Sequence, residues 1–319
     1  MYPFIHRNMK AIQNFVSRDN KTTPYVVVFV HGYNEHGYSV WFPLWNYIQD
    51  ANIRAAFVRL DYRGSIRTNA ADLTEQLKDI VTYYGVDNVI VVCHSKGGLD
   101  IQGAICYNNA DTLLRYVVTL STPHWGTPLC DLIDSDLSMF KNIQKQAKNA
   151  ATTDMKVTNM AEFRRLFDND TRCTAVKFYT IASNGTEHNE HVLLDVAQKQ
   201  FMNYFGANDD TVHVRSALKP NSTPIATIPC SHSEILNPNN VWTTLKPYLL
   251  GTPPIEGNTT PSDYTVVFTT FDIYLAIVRA ALYIVFVFYA KITYPVLFVI
   301  LVGIVSLIFF LRKKSKKKY

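Results

Sequence analysis

Residues 25–30 read YVVVFV, apolar at every position. So short a run with no polar alternation is expected to be a strand buried on both faces, and such strands belong to parallel sheets covered by helical crossovers. The chain repeats the theme. Residues 55–60, 89–93, 117–120, 176–181 and 225–228 are further short apolar runs. Between them lie helical periods. In residues 69–84, Leu73, Leu77, Ile80, Val81 and Tyr84 fall on one face and Gly85 supplies a stop. Residues 96–108 and 239–249 read as two more helices. Strand–helix alternation of this kind predicts an α/β fold: a mostly parallel sheet with helices on both faces. Residues 129–170 are helical in composition but longer than a crossover needs, so a cap or lid insertion is expected there. The Pro-, Gly-, Thr- and Asn-rich stretch 251–263 reads as a linker. The expected domains are therefore 1–250, a linker at 251–263, and a hydrophobic segment at 264–311 followed by a basic tail at 312–319.

Of the 319 residues, 48% are hydrophobic and only 18% charged, and the excess of apolar weight sits at the end. Residues 292–311 carry no charge and match the roughly 20 residues a bilayer-spanning helix requires. Residues 266–290 are also strongly apolar, broken by Asp272 and Arg279, so one span or a hairpin of two is expected. Arg312, Lys313, Lys314, Lys316, Lys317 and Lys318 follow at once and account for the net charge of +5. The basic balance thus implies a membrane-flanking tail rather than a nucleic-acid partner. Residues 1–20 contain no apolar core, so no signal peptide is expected. With the tail on the cytoplasmic side, a hairpin would leave the main domain facing the cytoplasm; a single-span anchor and an outward-facing domain are the alternatives. In a eukaryote, Lys316 and Lys317 stand where a dilysine endoplasmic-reticulum signal would be.

The five cysteines, Cys93, Cys106, Cys130, Cys173 and Cys230, show no metal-ligand spacing and are expected to be free buried thiols in a reducing compartment. Five Asn-x-Thr sequons, at Asn20, Asn169, Asn184, Asn221 and Asn258, matter only if the domain faces a lumen or the outside.

One strand–turn–helix junction carries chemistry. A serine hydroxyl is a weak nucleophile until a base, an orienting acid and an oxyanion site surround it. Ser95 follows the strand at 89–93 and precedes Gly97-Gly98 and a helix, the setting of a nucleophile elbow. The pattern G-x-S-x-G is met with Cys93 in the first position. His31-Gly32 ends the first strand. The loop after it would donate one backbone N–H, from Tyr33, to an oxyanion hole whose other donor is the N–H of Lys96. In this arrangement the acid and base follow the nucleophile in that order. The base is then His232, on the loop after the strand at 225–228, with His213 in reserve. The acid comes from the Asp209-Asp210 turn, with Asp195 the weaker alternative. His94, His124 and Trp125 flank the expected pocket, together with His31 and Gly32.

These blocks together resemble the lipase branch of the α/β-hydrolases, including triacylglycerol lipases and GPI inositol deacylases. His31-Gly32-Tyr33 is similar to the family's oxyanion segment, and His94-Ser95-Lys96-Gly97-Gly98-Leu99-Asp100 to its nucleophile segment. Ser121-Thr122-Pro123-His124-Trp125-Gly126-Thr127-Pro128 is similar to a T-P-H-x-G-[ST] run. Asn208-Asp209-Asp210-Thr211-Val212 resembles an N-D-G-x-V acid segment, which implies Asp209 as the acid and puts Asp210 where the family has glycine. His232-Ser233-Glu234-Ile235-Leu236 is similar to the histidine segment. The likeness spans residues 25–250 in the right order.

The resemblance implies a serine hydrolase that cleaves carboxylic esters, a lipase or phospholipase type acting on a lipid, with Ser95, Asp209 and His232 as a triad and no cofactor. Some bacterial members hold a structural calcium near the acid and histidine; Glu234 stands two residues after His232 with no clear partner, so no metal is expected. An acyltransferase or thioesterase would use the same triad. A silent membrane-anchored interaction module would instead show a broken one.

Overall fold

The structure, a computed structural model, describes residues 23–35, 37–133, 147–185, 193–254, 270–288, 302–304 and 306. Six strands form one sheet: β1 (Val26–Val30), β2 (Arg54–Phe57), β3 (Val89–His94), β4 (Leu114–Leu120), β5 (Phe178–Ser183) and β6 (Thr223–Ile228). Their order is β2-β1-β3-β4-β5-β6 and every pairing is parallel. The five residues of β1 are fully buried, as an apolar run without alternation requires. Period-two geometry divides them. Val26, Val28 and Val30 join a core with α2 (Ile66–Tyr84) and α3 (Gly97–Asn108). Val27 and Phe29 join the opposite core with α1 (Phe42–Asp50) and the helix Pro238–Leu249.

Local signals set the helix limits. Ser65 caps α2, its Oγ accepting the N–H of Thr68 at 3.1 Å, and adds a turn before the apolar period begins. Gly85 ends α2 in the left-handed conformation at φ 62°. β2 stops at Phe57, short of the apolar run, because Leu60 turns its N–H to His31 Nε2 at 3.0 Å instead of to a strand.

Between β4 and β5 lie α4 (Pro128–Ile133), α5 (Ala150–Asp154), α6 (Val157–Phe167) and α7 (Thr171–Ala175). Cys130, Ala151, Met155, Met160 and Phe163 pack on Ile66 and Leu99, at the leading ends of α2 and α3. After β5 come α8 (Leu193–Tyr204), β6, α9 (Pro238–Leu249) and α10 (Thr270–Phe288). The inner face of α10, Ile273, Ala276 and Ala280, packs on Phe201 and Met202 of α8, with Leu129 and Leu132 of α4 alongside. Much of the apolar stretch at 266–290 is therefore one helix seated on the protein. Among the described residues no helix is long and apolar enough to cross a membrane. The expected span at 292–311 lies outside the described residues apart from 302–304 and 306.

The cysteine expectation needs one correction. Cys106 of α3 and Cys173 of α7, 67 residues apart, form a disulfide. Their bodies are buried among apolar side chains, so composition alone made them look like inert core thiols. Cys93, Cys130 and Cys230 are buried and free.

Candidate active site

Parallel strands present all their C-terminal ends at one edge, and the sheet order turns at β1 and β3. The connection from β1 leads to β2 on one side, and that from β3 leads to β4 on the other. Crevices at such points receive ligands. His31-Gly32 leaves β1 there and Ser95 leaves β3 beside it.

The elbow holds Ser95 at φ +49°, a left-handed conformation a serine adopts only when its surroundings demand it. They do. Ser95 N–H donates to the Leu120 carbonyl at 2.9 Å, and Thr122 Oγ1 donates to the Ser95 carbonyl at 2.8 Å. A β-carbon on Gly97 would lie 2.6 Å from the His31 carbonyl oxygen, and one on Gly32 would lie 2.7 Å from Ser95 Cβ. Glycine at these two positions is a packing requirement of the elbow. Cys93 takes the family's first-glycine position without penalty because its thiol turns into the core; burial raises its pKa well above the usual range, so it is inert.

His232, on the loop after β6, brings Nε2 to 3.0 Å from Ser95 Oγ and Nδ1 to 2.9 Å from Asp209 Oδ2. Asp209 is held in turn by a short hairpin pinned by the Asn208–His213 bridge. Its Oδ1 accepts the N–H groups of Thr211 and Val212 at 3.1 and 2.7 Å, and Oδ2 accepts Ser183 Oγ at 2.6 Å. Burial alone would raise the Asp209 carboxyl. The charge and hydrogen bond of His232, with the Ser183 and Val212 donors, overcome it and hold the pKa below the ordinary carboxylate value. For His232, burial disfavours the charged form, but Asp209 first, then Glu35 and Asp210, raise its pKa above the ordinary imidazole value.

The other expected residues divide. Lys96 is fully buried and turns its ammonium away from the site, onto both oxygens of Asp100 at 2.7 and 2.9 Å. Its backbone N–H heads α3. The Tyr33 hydroxyl accepts from Asn149 Nδ2 at 3.1 Å, which ties the loop after β1 to the α5 cap. His31 is buried, its Nδ1 donating to the Gly32 carbonyl and its Nε2 accepting from Leu60. His94 brings its ring centroid to 4.9 Å from that of His232. His124 does not face the crevice. It is wholly buried between Gln102 and Thr119, and burial with the nearby Arg164 charge lowers its pKa well below the usual value. Trp125 is half-buried and donates its backbone N–H to Ser216 Oγ at 3.2 Å. His213 bonds the Met202 carbonyl, not Ser95. Asp195 falls in α8, where its side chain is outside the description. Glu234, at the position considered for calcium, accepts the Ser231 N–H at 3.0 Å. Among the described residues no group of three or more His, Cys, Asp or Glu side chains is placed to hold a metal.

Two residues of the site are absent from the sequence reading. Ser183, at the end of β5, links Ser121 to Asp209. Glu35, in the loop after β1, accepts the Gly32 N–H with one oxygen and faces His94 Nδ1 at 2.5 Å with the other. An acid in a loop ordinarily reads as solvated, and nothing local marks this one as paired with His94.

No family model matches the chain and no curated protein matches its sequence. Solved structures do. The chain is similar to the Bacillus licheniformis lipase BlEst2 in its propeptide form, at 28% identity and a TM-score of 0.68, covering 82% of this chain and 54% of that one. It thus spans about half the length of that form. To the mature form of the same lipase the identity is 30% and the TM-score 0.65, covering 73% of this chain and 95% of that one. With the sheet, the elbow and this likeness across nearly the whole mature lipase, the chain belongs to the lipases and esterases of the α/β-hydrolase fold.

Proposed function

We propose that this chain is a serine hydrolase of carboxylic esters, with Ser95 as nucleophile, His232 as base and Asp209 as the acid that orients it. The observation that carries the reading is His232 spanning Ser95 Oγ and Asp209 at 3.0 and 2.9 Å. Ser95 Oγ attacks the acyl carbonyl while His232 Nε2 takes its proton. The oxyanion is received by the N–H groups of Tyr33 and Lys96, each worth about 3 kcal/mol in reactions of this type. Collapse expels the alcohol with the proton from His232 and leaves an acyl group on Ser95; water repeats the steps to release the acid. Ser95→Ala is expected to lower ester turnover by about three orders of magnitude or more and to abolish fluorophosphonate labelling. Full activity in that variant would sink the assignment.

The substrate class we favour is a lipid ester. The sequence blocks resemble triacylglycerol lipases and GPI inositol deacylases, and the apolar segment at 292–311 with its basic tail is suited to hold the domain at a bilayer. Release of the full-length chain from membranes by carbonate washing would count against that anchor.

A cytoplasmic domain is the expectation from the tail, but two observations favour the outward-facing or lumenal alternative. The Cys106–Cys173 disulfide suits an oxidising compartment. The three described sequon asparagines, Asn169, Asn184 and Asn221, are all exposed. Expressed as the full chain in eukaryotic cells, a lumenal domain would shorten on a gel after N-glycosidase treatment; an unchanged mobility would return the domain to the cytoplasm.

A further inference from the structure

We propose that Glu35 and His94 form a latch that positions the base-bearing loop against the oxyanion loop across the Ser95 elbow. The chain of contacts has four members. The backbone N–H of Gly32, beside the proposed oxyanion donor Tyr33, donates to one Glu35 oxygen. The other Glu35 oxygen faces His94 Nδ1 at 2.5 Å. His94 Nε2 stands 3.0 Å from the backbone carbonyl of His232. His94 is the residue immediately before Ser95. The loops after β1, β3 and β6, which bring the oxyanion donor, the nucleophile and the base, are therefore joined by hydrogen bonds as well as by the sheet beneath them.

The chemistry of the pair fits that role. The two ring nitrogens of His94 face oxygens on two different loops, so the ring spans from the Glu35 carboxylate to the His232 carbonyl. The pair is nearly buried, with side-chain exposures of 2% for His94 and 14% for Glu35, so its bonds are little weakened by water. Burial works against the Glu35 carboxylate, yet His94, the Gly32 N–H and His232 keep its pKa below the ordinary value. Glu35 also acts on the base: Asp209, Glu35 and Asp210 raise His232, and Glu35 reaches it from the oxyanion side.

Glu35 is thus a positioning residue for the proposed ester hydrolysis, and the inference rests on that reading. Glu35→Ala breaks the latch. With a soluble short-chain ester, its kcat should fall about 10- to 100-fold with KM little changed, because displacement of a reacting group by about 1 Å has that effect. Glu35→Gln keeps a donor and an acceptor in place while removing the charge. It should recover part of the kcat loss, and the ascending limb of kcat/KM should move to lower pH, since His232 loses a stabilising anion. A merely structural role would lower the melting temperature of both variants and leave kcat per folded molecule and the pH limb where they were; that result overturns the proposal. Ser95→Ala, assayed in parallel, separates the two failures. If it stays active, the hydrolase reading falls and the latch with it; if it is inactive while Glu35→Ala and Glu35→Gln match the native profile, only the latch falls.

Discussion

Asp210 carries φ +77° on the turn that presents Asp209. That is the left-handed region, where aspartate is tolerated at a modest cost and glycine is free. The family pattern has glycine there, and the observed angle supplies the reason. Asp210→Gly is expected to leave the turn intact and to raise stability by up to about 1 kcal/mol, measured by denaturant unfolding; a loss of stability would mean the side chain contributes more than its backbone costs. The neighbouring imidazole sets a second expectation. As the proposed base, His232 would have to be neutral to accept a proton, and its pKa is raised above the ordinary 6.5. The rate constant kcat/KM should therefore be low in acid and rise with pH through a midpoint above 6.5, as read from a pH–rate profile with a soluble ester. A midpoint below 6.5 would contradict the charge arrangement. At this scale, legibility depends on neighbours in the chain. Ser95, Asp209 and His232 each sit in a local block that marks them. Glu35 and Ser183 gain their meaning from partners 59 and 26 residues away, and no local block announces them.

At the scale of elements, the elbow depends on an ion pair that faces away from the chemistry. Lys96 and Asp100 are one helical turn apart at the start of α3, with side-chain exposures of 1% and 2%, and Asn69 of α2 donates to Asp100 Oδ2 at 3.0 Å. The pair stitches the Ser95 turn to α3 and α3 to α2. Burial raises the Asp100 carboxyl while Lys96 opposes it, so removing the lysine leaves a carboxylate with little to hold its charge. Lys96→Met should cost about 3–5 kcal/mol in unfolding experiments. Lys96→Met with Asp100→Leu should recover much of it, because a buried apolar pair needs no such compensation. If the double variant is no more stable than the single, the lysine matters through packing instead of charge. The elements themselves were largely legible: every expected strand is present, and β1 and β3 are buried at every position, as runs apolar on both faces require, whereas β6 at the sheet edge is mostly half-exposed. Their ends were not. β2 is shortened by His31 accepting a backbone N–H, and α2 is lengthened by Ser65, both effects of single polar contacts that apolar periodicity does not register.

The whole molecule has two ends. The proposed chemistry lies at the C-terminal edge of the sheet, where the loops after β1, β3 and β6 meet. The Cys106–Cys173 bridge joins the last turn of α3 to α7, just before β5, and so lies at the N-terminal edge. Even the α/β class and the order of motifs, readable from alternating apolar runs, could not reveal that bridge, because it depends on α3 and α7 meeting across an insertion of unforeseen path. Closing a loop of 67 residues restricts the unfolded chain by about 4 kcal/mol on the chain-entropy account, and removing natural bridges commonly costs about 2–5 kcal/mol. Because the bridge and Ser95 sit at opposite edges, with the length of α3 between them, the two properties should separate. Cys173→Ser should lower the unfolding free energy by about 2–4 kcal/mol while kcat of the folded protein stays within about twofold. A matching drop in kcat would show that α3 transmits strain from its far end to the elbow. An unchanged stability would show that the two sulfurs are not bonded in the native protein, and would withdraw the support the bridge lends to an oxidising compartment.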